Sequence, residues 1–406
     1  MAKVNIRAKR ANQNNITLRP SENEQLTRLK QEEVRQQKVK NANAAVAIAF
    51  VLMLLLYAFS VVLFVVPGST QRNLAVILSM QQTKFQNFLA FLNGENGNGY
   101  SITVVRYTII VLSGAALASA GCVFQGSFKN IIASPSTMGV QAGASLGNAL
   151  YTFFCVQLVT DTIITQTSAE EVASLSMWEL NKQQLFAIAG SLIAIWIVSG
   201  IASLLGKGTF SGGNILFAGI VFSSFTGAIV SIIEYYFLYN DPVDTRWRAL
   251  RVFGMGSFDR VMTWYHLIMM AVILVPCLIA LILISPKLNV LVMGEEEAAT
   301  MGVNVRLYRT VLITVGTMMA AAVYAFCGAI GFVGFIVPQI CRRFTGPDFR
   351  KLVPMCMCVG AILLLLVYDI AFWFGYNSYL NLFVSVMGCA MMIYSLARGK
   401  GGRSYG

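Results

Sequence analysis

The sequence predicts an all-α polytopic membrane protein, and three observations predict it. Of 406 residues, 56% are hydrophobic and 12% charged, about half the charge of an average soluble domain; mean hydropathy is +0.66. Apolar runs of 18 or more residues recur along the chain, each long enough to cross a hydrocarbon core as a helix. Basic residues collect beside these runs, as they do in loops kept on the cytoplasmic side. The net charge of +12 therefore implies no nucleic-acid partner, and the bilayer is the partner the composition points to.

Residues 1–43 form a cytoplasmic tail with ten Lys/Arg against four Glu, half of the net charge. Ser21 and Glu24 fit a capping box that opens a helix running to about Lys40. Its few apolar positions suit a solvated helix that orients the chain or meets a partner. So long a polar stretch is not a cleavable signal peptide. The body, 44–397, holds ten predicted spans: 44–66, 103–125, 138–158, 184–205, 214–238, 263–285, 307–327, 331–344, 352–373 and 379–397. The eighth is short and partly re-entrant in character. Residues 398–406 form a short basic tail.

An even number of spans places both termini in the cytoplasm, with Lys129, Lys207, the 286–306 segment and Arg342–Arg343 on the same side. The loop from Asp161 to Glu179 carries four acids and falls outside. One outer loop departs from the charge rule. Arg246, Arg248 and Arg251 stand with Asp241, Asp244 and Asp259 between spans five and six, either as a local exception or as a surface for an acidic partner.

Between spans six and seven lies Leu288–Val303, of mixed polarity. Gly294 breaks the chain, Glu295, Glu296 and Glu297 follow, and Ala298 and Met301 lead to Gly302. Acids in a first turn suit the positive end of a helix dipole, so Glu295–Met301 is predicted as a short helix, too short and too polar to span. A rigid knob on the membrane surface, joined to two spans, is suited to transmit a push from another protein.

The spans themselves carry little chemistry. Ser113–Gly121 repeats small residues at helical steps, which ordinary close packing in lipid explains. Gln125, Asn130 and Pro135 lead into a Gly/Pro-broken approach to span three, and Gly328–Pro338 has the same character before span eight. Arg106 precedes Pro135 by 29 residues and Arg309 precedes Pro338 by 29. A copy displaced by five spans would lie inverted in the membrane, as in transporters whose path runs between broken helices of the two halves. Glu234 and Asp369 are the acids at membrane depth; each lines the path, or else reaches the interface or bonds a neighbouring helix. His266, beside Trp264 and Tyr265, reads as an interfacial residue. The eight cysteines fall in or beside apolar runs and read as packing residues, with no metal site.

The energy source separates the remaining classes. Ion-coupled carriers hold several midplane acids or histidines. A nucleotide-binding G-x-x-x-x-G-K-[ST] run is missing; the nearest, Leu205–Thr209, lacks the upstream glycine and the hydroxyl after lysine. A gate driven by a separate ATPase fits both. An intramembrane enzyme would rest on Asp241-x-x-Asp244 holding Mg²⁺, without a second acidic cluster.

Three motifs together resemble the FecCD group, the permeases of ABC importers for iron–siderophores, haem and vitamin B12. The first is Arg106 through Gly114, Gly121, Gln125, Asn130, Ala133, Pro135, Gly139, Gly143 and Ala144; the second is Leu288-Asn-Val-Leu with Gly294–Glu295, Ala298 and Met301–Val303. The third is Gly328–Pro338 with Arg342, Gly346-Pro-Asp-x-Arg350 and Asp369. The likeness covers roughly Tyr100 to Asp369. Departures are Gln339 for the usual histidine, Phe349 in the Asp-His-Arg position, Ile131 for a proline, Trp373 for an arginine, and a tenth span, from Asn377, without the Glu-x-Pro-x-Gly motif.

The resemblance implies a type II importer permease of about ten helices in inverted five-helix pseudo-repeats, in a bacterial plasma membrane. It implies a second permease copy or paralogue, two ABC ATPase subunits that use ATP and Mg²⁺, and an extracytoplasmic solute-binding protein, with no cofactor in this chain. Gly294, Glu295, Glu296, Glu297, Ala298, Met301 and Gly302 would couple to the ATPase; Arg72, Arg246, Arg248 and Arg251 would dock the binding protein. Gln125, Asn130, Pro135, Glu234, Pro338, Asp369, Asn377 and Asn381 would lie along the path. The substrate expected is an iron–siderophore, haem or related chelate, with a corrinoid as the alternative, and an ion-coupled carrier, an exporter or an enzyme more distant.

Overall fold

A computed structural model describes residues 40–60, 98–155, 169–205, 212–240, 246–258, 264–293, 305–374 and 379–399. Among these, eleven helices are found and no strand. In chain order they are α1 (Lys40–Ser60), α2 (Asn98–Ser127), α3 (Val140–Phe154), α4 (Ala169–Leu205), α5 (Gly212–Asn240), α6 (Arg246–Met255), α7 (Trp264–Met293), α8 (Val305–Cys327), α9 (Val333–Thr345), α10 (Phe349–Phe374) and α11 (Leu380–Gly399).

Seven of them, α1, α2, α4, α5, α7, α8 and α10, are long and apolar enough to cross a membrane. The third and eighth predicted spans are shorter than a bilayer needs. At 1.5 Å per residue, the 15 residues of α3 and 13 of α9 reach only about 20 Å of a ~30 Å hydrocarbon core. Each begins beyond a broken segment: Gly139, at φ 81°, starts α3, and Phe332, at φ 60°, starts α9. The apolar part of α11 is also short, Leu380–Met391.

Three predicted boundaries change. The acidic stretch read as an outer loop is helical from Ala169 and continuous with α4. The Arg246–Arg251 loop is a helix of its own, α6. Leu288–Met293, read as the start of a surface knob, is the end of α7, which continues through Pro276 and Pro286; neighbouring helices let membrane helices tolerate such prolines.

The bundle is organised around α2, whose apolar window is the most buried among the candidate spans. It packs most extensively on α10 and also contacts α7, α8 and α9. A Cβ on Gly114 would sit 2.3 Å from the Gly360 carbonyl oxygen of α10, and one on Gly121 would sit 1.9 Å from that of Gly334 on α9. Backbones this close need glycine on the facing surfaces. By contrast α1, α5 and α7 are largely unburied, with Phe217, Ile220, Phe225, Val272 and Leu283 exposed, as a lipid-facing or subunit-facing surface requires.

Pairings in the first half recur in the second. α2 packs on α10 as α8 packs on α4; α3 packs on α4 as α9 does on α10; α5 lies against α3 and α4 as α11 lies against α9 and α10. This is the contact pattern of an internal repeat. The 29-residue Arg–Pro echo does not mark equivalent positions, however. Pro135 lies in the turn before α3, whereas Pro338 lies inside α9.

Candidate functional site

A cavity of about 400 Å³ opens between the short helices. Ser136 and Thr137 line it from the turn before α3, and Gln141 and Ser145 from α3 itself. Ser223 and Gly227 of α5 form another wall. Gly254 of α6, Ala329, Gly331 and Phe332 of the α8–α9 turn, and Asn381 and Ser385 of α11 complete it. The wall is built from amides, hydroxyls, backbone and apolar surface, with no ionisable side chain among these residues. Polar groups reach it in i, i+4 pairs, Gln141/Ser145 and Asn381/Ser385, so each helix turns one narrow polar stripe inward.

Local hydrogen bonds hold the two broken segments in shape. In the first, Ser134 N–H donates to Thr137 Oγ1 at 2.9 Å and Thr137 Oγ1 donates to the Ser134 carbonyl at 3.0 Å. In the second, Gly331 N–H donates to Asn381 Oδ1 at 2.9 Å, and Val333 N–H donates to the Gly331 carbonyl at 2.7 Å. Between them Phe332 is held left-handed, a conformation that costs a bulky residue free energy and persists only where its surroundings enforce it.

Of the residues expected along the path, Asn381 lines this cavity. Gln125, Asn130, Pro135, Glu234, Pro338 and Asp369 are not among its lining residues. Gln125 is wholly buried at the α2–α9 crossing, donating through Nε2 to the Gly334 and Phe335 carbonyls at 3.4 Å each. Asn130 accepts from Ile132 N–H at 3.0 Å and shapes the turn after α2. Pro135 and Pro338 are buried. Asp369 ties three helices together: Ser60 of α1 donates to Oδ2 at 2.6 Å and Tyr107 of α2 to Oδ1 at 2.9 Å. Glu234, half-buried on α5, lies within electrostatic reach of Arg251. Asn377 lies outside the described residues.

α6 reaches the cavity through Gly254. Leu250 and Phe253 are buried beneath it, and Leu250 joins a small apolar cluster with Ala149, Ile233 and Phe237. On its other side Arg248 and Arg251 are exposed and flank the Trp247 ring at 5.2 and 5.3 Å, while Arg246 stacks on Phe237 at 4.6 Å. These are cation–π distances, and they give the basic face a defined shape. Arg72 lies outside the described residues.

Backbone bonds stitch the end of α6 to the cavity. Ala329 N–H donates to the Phe253 carbonyl at 2.8 Å, Ser257 N–H to Cys327 at 2.8 Å, and Leu380 N–H to Gly256 at 3.2 Å. The same stretch therefore holds both the α8–α9 turn and the start of α11.

At the other end of α7 and start of α8, the expected coupling residues Gly294, Glu295, Glu296, Glu297, Ala298, Met301 and Gly302 lie outside the described residues. Their roots are described. Lys287 of α7 donates to the Tyr308 hydroxyl of α8, its ammonium 4.2 Å from that ring's centroid. Asn289 Nδ2 donates to Asp348 Oδ1 at 2.8 Å, and its Oδ1 accepts from Phe349 N–H at 2.9 Å. Asp348 Oδ1 in turn accepts from Arg350 N–H at 3.1 Å at the start of α10. The end of α7 is thus latched to α10.

Sequence reasoning missed Gln141, Ser145, Ser385 and Phe332 on the cavity, and Asn289 and Asp348 as a latch. The four-residue spacing of isolated polar residues in otherwise apolar helices was the available signal for the first group. His266, read as interfacial, is buried edge-on to Phe326 of α8, ring centroids 6.4 Å apart.

Comparison with known proteins agrees with this architecture. The FecCD transport family matches residues 52–398. The hemin transport system permease protein of Yersinia pestis is 32% identical over 265 residues, 65% of this chain and 72% of that protein. The vitamin B12 import system permease protein of Salmonella typhi is 32% identical over 267 residues, 66% of this chain and 73% of that protein. A solved metal-chelate type ABC transporter in an inward-facing conformation shares the fold with a TM-score of 0.65 at 23% identity, covering 87% of this chain and 99% of that one.

Proposed function

Because the chain belongs to the FecCD transport family, we propose that it carries an iron–siderophore, haem or related iron chelate across the membrane. The chain is a membrane permease subunit of an ABC importer of the haem, vitamin B12 or metal-chelate type. In the proposed cycle an extracytoplasmic binding protein docks on α6, its acidic residues meeting Arg246, Arg248 and Arg251, with Arg72 as a further contact. The ligand enters the cavity walled by α3, α5, α6, the α8–α9 turn and α11, shared with a second permease copy or paralogue. Two ATPase subunits, using ATP and Mg²⁺, close against Glu295 and its neighbours and move the 288–303 segment. The chain itself contributes no catalytic group and no cofactor.

The observation that supports this reading best is a neutral-walled cavity whose α8–α9 turn is hydrogen-bonded to the basic helix α6. At the other end of the chain's expected partner contacts, the root of the predicted coupling segment is bonded to α10, which packs on the central helix α2. Coupling between such sites is established by measurement, and the variants below supply it. A corrinoid is the second reading, favoured by the vitamin B12 relative at equal identity to the hemin relative.

The test is charge reversal at the foot. Replacing Glu295→Arg and Glu296→Arg in the assembled transporter is expected to abolish ATP-driven uptake while the complex still hydrolyses ATP. Uptake at the wild-type rate in that double variant removes the coupling role.

A further inference from the structure

The cavity wall says something about the ligand's outer surface. Gln141 of α3 and Asn381 of α11 converge on Gly331 from opposite helices: a Cβ added there would lie 3.4 Å from Gln141 Oε1 and 3.4 Å from Asn381 Oδ1. Gly331 therefore borders a gap flanked on two sides by amide oxygens. The gap is also held fixed. Gly331 N–H occupies Asn381 Oδ1, which leaves Asn381 Nδ2 to donate. Phe332, the next residue, is left-handed and seats its ring against α11, where a Cβ on Gly388 would fall 2.3 Å from the ring. The turn is pinned to α11 by both a hydrogen bond and an aromatic wedge, so the Asn381 side of the gap is fixed in place.

We propose that Gln141, Gly331 and Asn381 form a selectivity constriction for chelates whose rim is uncharged and rich in amide or hydroxamate groups. This deepens the import reading above and rests on it. An amide pair can donate to and accept from a neutral amide or hydroxamate rim, replacing the water it loses on entry. A carboxylate or catecholate rim finds no cation among the lining residues. It would lose hydration without a compensating charge, and burying an unpaired charge is far costlier than burying a paired amide. Ser136, Thr137, Ser145 and Ser385 extend the same neutral chemistry along the path. Selection by buried hydrogen-bonding groups discriminates more sharply than selection by apolar shape.

The experiment uses the full chain with its ATPase and binding protein in proteoliposomes, and compares ATP-driven uptake of four probes at equal concentration. Two are neutral-rimmed, a ferric trihydroxamate and a corrinoid; two are anionic, a ferric tris-catecholate and haem. The quantity read is the ratio of neutral to anionic uptake, because the same binding protein serves every variant. Wild type is expected to favour a neutral-rimmed probe by about tenfold or more, and which of the two it favours separates hydroxamate from corrin. Gln141→Lys, which adds a cation at the gap, is expected to lower that ratio about tenfold. Asn381→Asp keeps the acceptor for Gly331 and adds a negative charge; it is expected to raise the ratio by slowing anionic uptake. Assembly of each variant is checked by size-exclusion chromatography, and Asn381→Asp is near-isosteric should the lysine variant fail to assemble. A wild-type preference for haem or the catecholate, or an unchanged ratio in the assembled variants, overturns the constriction and leaves the import reading standing. No ATP-driven uptake of any of the four by the wild-type complex overturns the import reading and the constriction with it.

Discussion

Asp369 shows how one intramembrane acid can tie helices together. Its carboxyl group accepts from Ser60 and Tyr107, and the Tyr107 ring stands edge-on to Tyr368, centroids 5.7 Å apart and 90° between planes. Arg106 Nη1 reaches the Tyr368 hydroxyl at 3.2 Å. Residues neighbouring in sequence on α2 and on α10 are thus cross-bonded, and α1 is tied on through Ser60. Interhelical hydrogen bonds in bilayers contribute on average about 0.6 kcal/mol each, with a maximum near ~1.7. Tyr107→Phe should therefore lower stability by about that amount, and Asp369→Ala by more, because it strands two buried hydroxyls. Thermal unfolding of the detergent-solubilised protein measures both. Asp369→Asn, which keeps an acceptor, is expected to retain most of the stability and the transport rate; loss of transport in a stable Asp369→Asn variant would return this residue to the path.

At the scale of elements, two latches bear on coupling. Asn289 holds the end of α7 to the start of α10 through Asp348 and Phe349. Asn289→Ala leaves Phe349 N–H without this acceptor, a cost of about 1–3 kcal/mol where the group is buried. The expected outcome is ATP hydrolysis with reduced uptake per ATP. At the opposite latch, Gly256 has φ +67°, and a Cβ would meet the Ala329 carbonyl oxygen at 2.6 Å. Gly256→Ala strains the link from α6 to the cavity by about 1–3 kcal/mol. It should reduce stimulation by loaded binding protein more than it reduces basal ATPase activity. Equal reduction of both would mean that this stretch supports the fold without relaying the docking event.

Over the whole molecule, the legible and illegible parts of the sequence divide by physical cause. Long apolar helices are visible because lipid demands them, and α2, α5, α8 and α10 lie close to their predicted limits. α6 was hidden because ten residues with three arginines carry no span-like signal, and its buried Leu250 and Phe253 matter only once α3 and α5 lie beneath. The broken segments before α3 and α9 were legible from Gly, Pro and Ser punctuation. Which polar side chains they present was not, since Gln125 and Gln141 look alike in one dimension; tertiary contact alone puts the first in a helix crossing and the second on a cavity. The repeat is real in the packing of α2 with α10 and α8 with α4, yet the Arg–Pro spacing that suggested it pairs non-equivalent residues.

The proposed gate has no fuel of its own. The most direct measurement is chelate uptake into proteoliposomes containing this chain alone, or this chain with its ATPase and binding protein, under an imposed proton or sodium gradient or with ATP. Uptake is expected solely in the complete assembly supplied with ATP, and unaffected by either gradient. Accumulation of the chelate by the isolated chain, driven by an ion gradient and without nucleotide, would contradict the account.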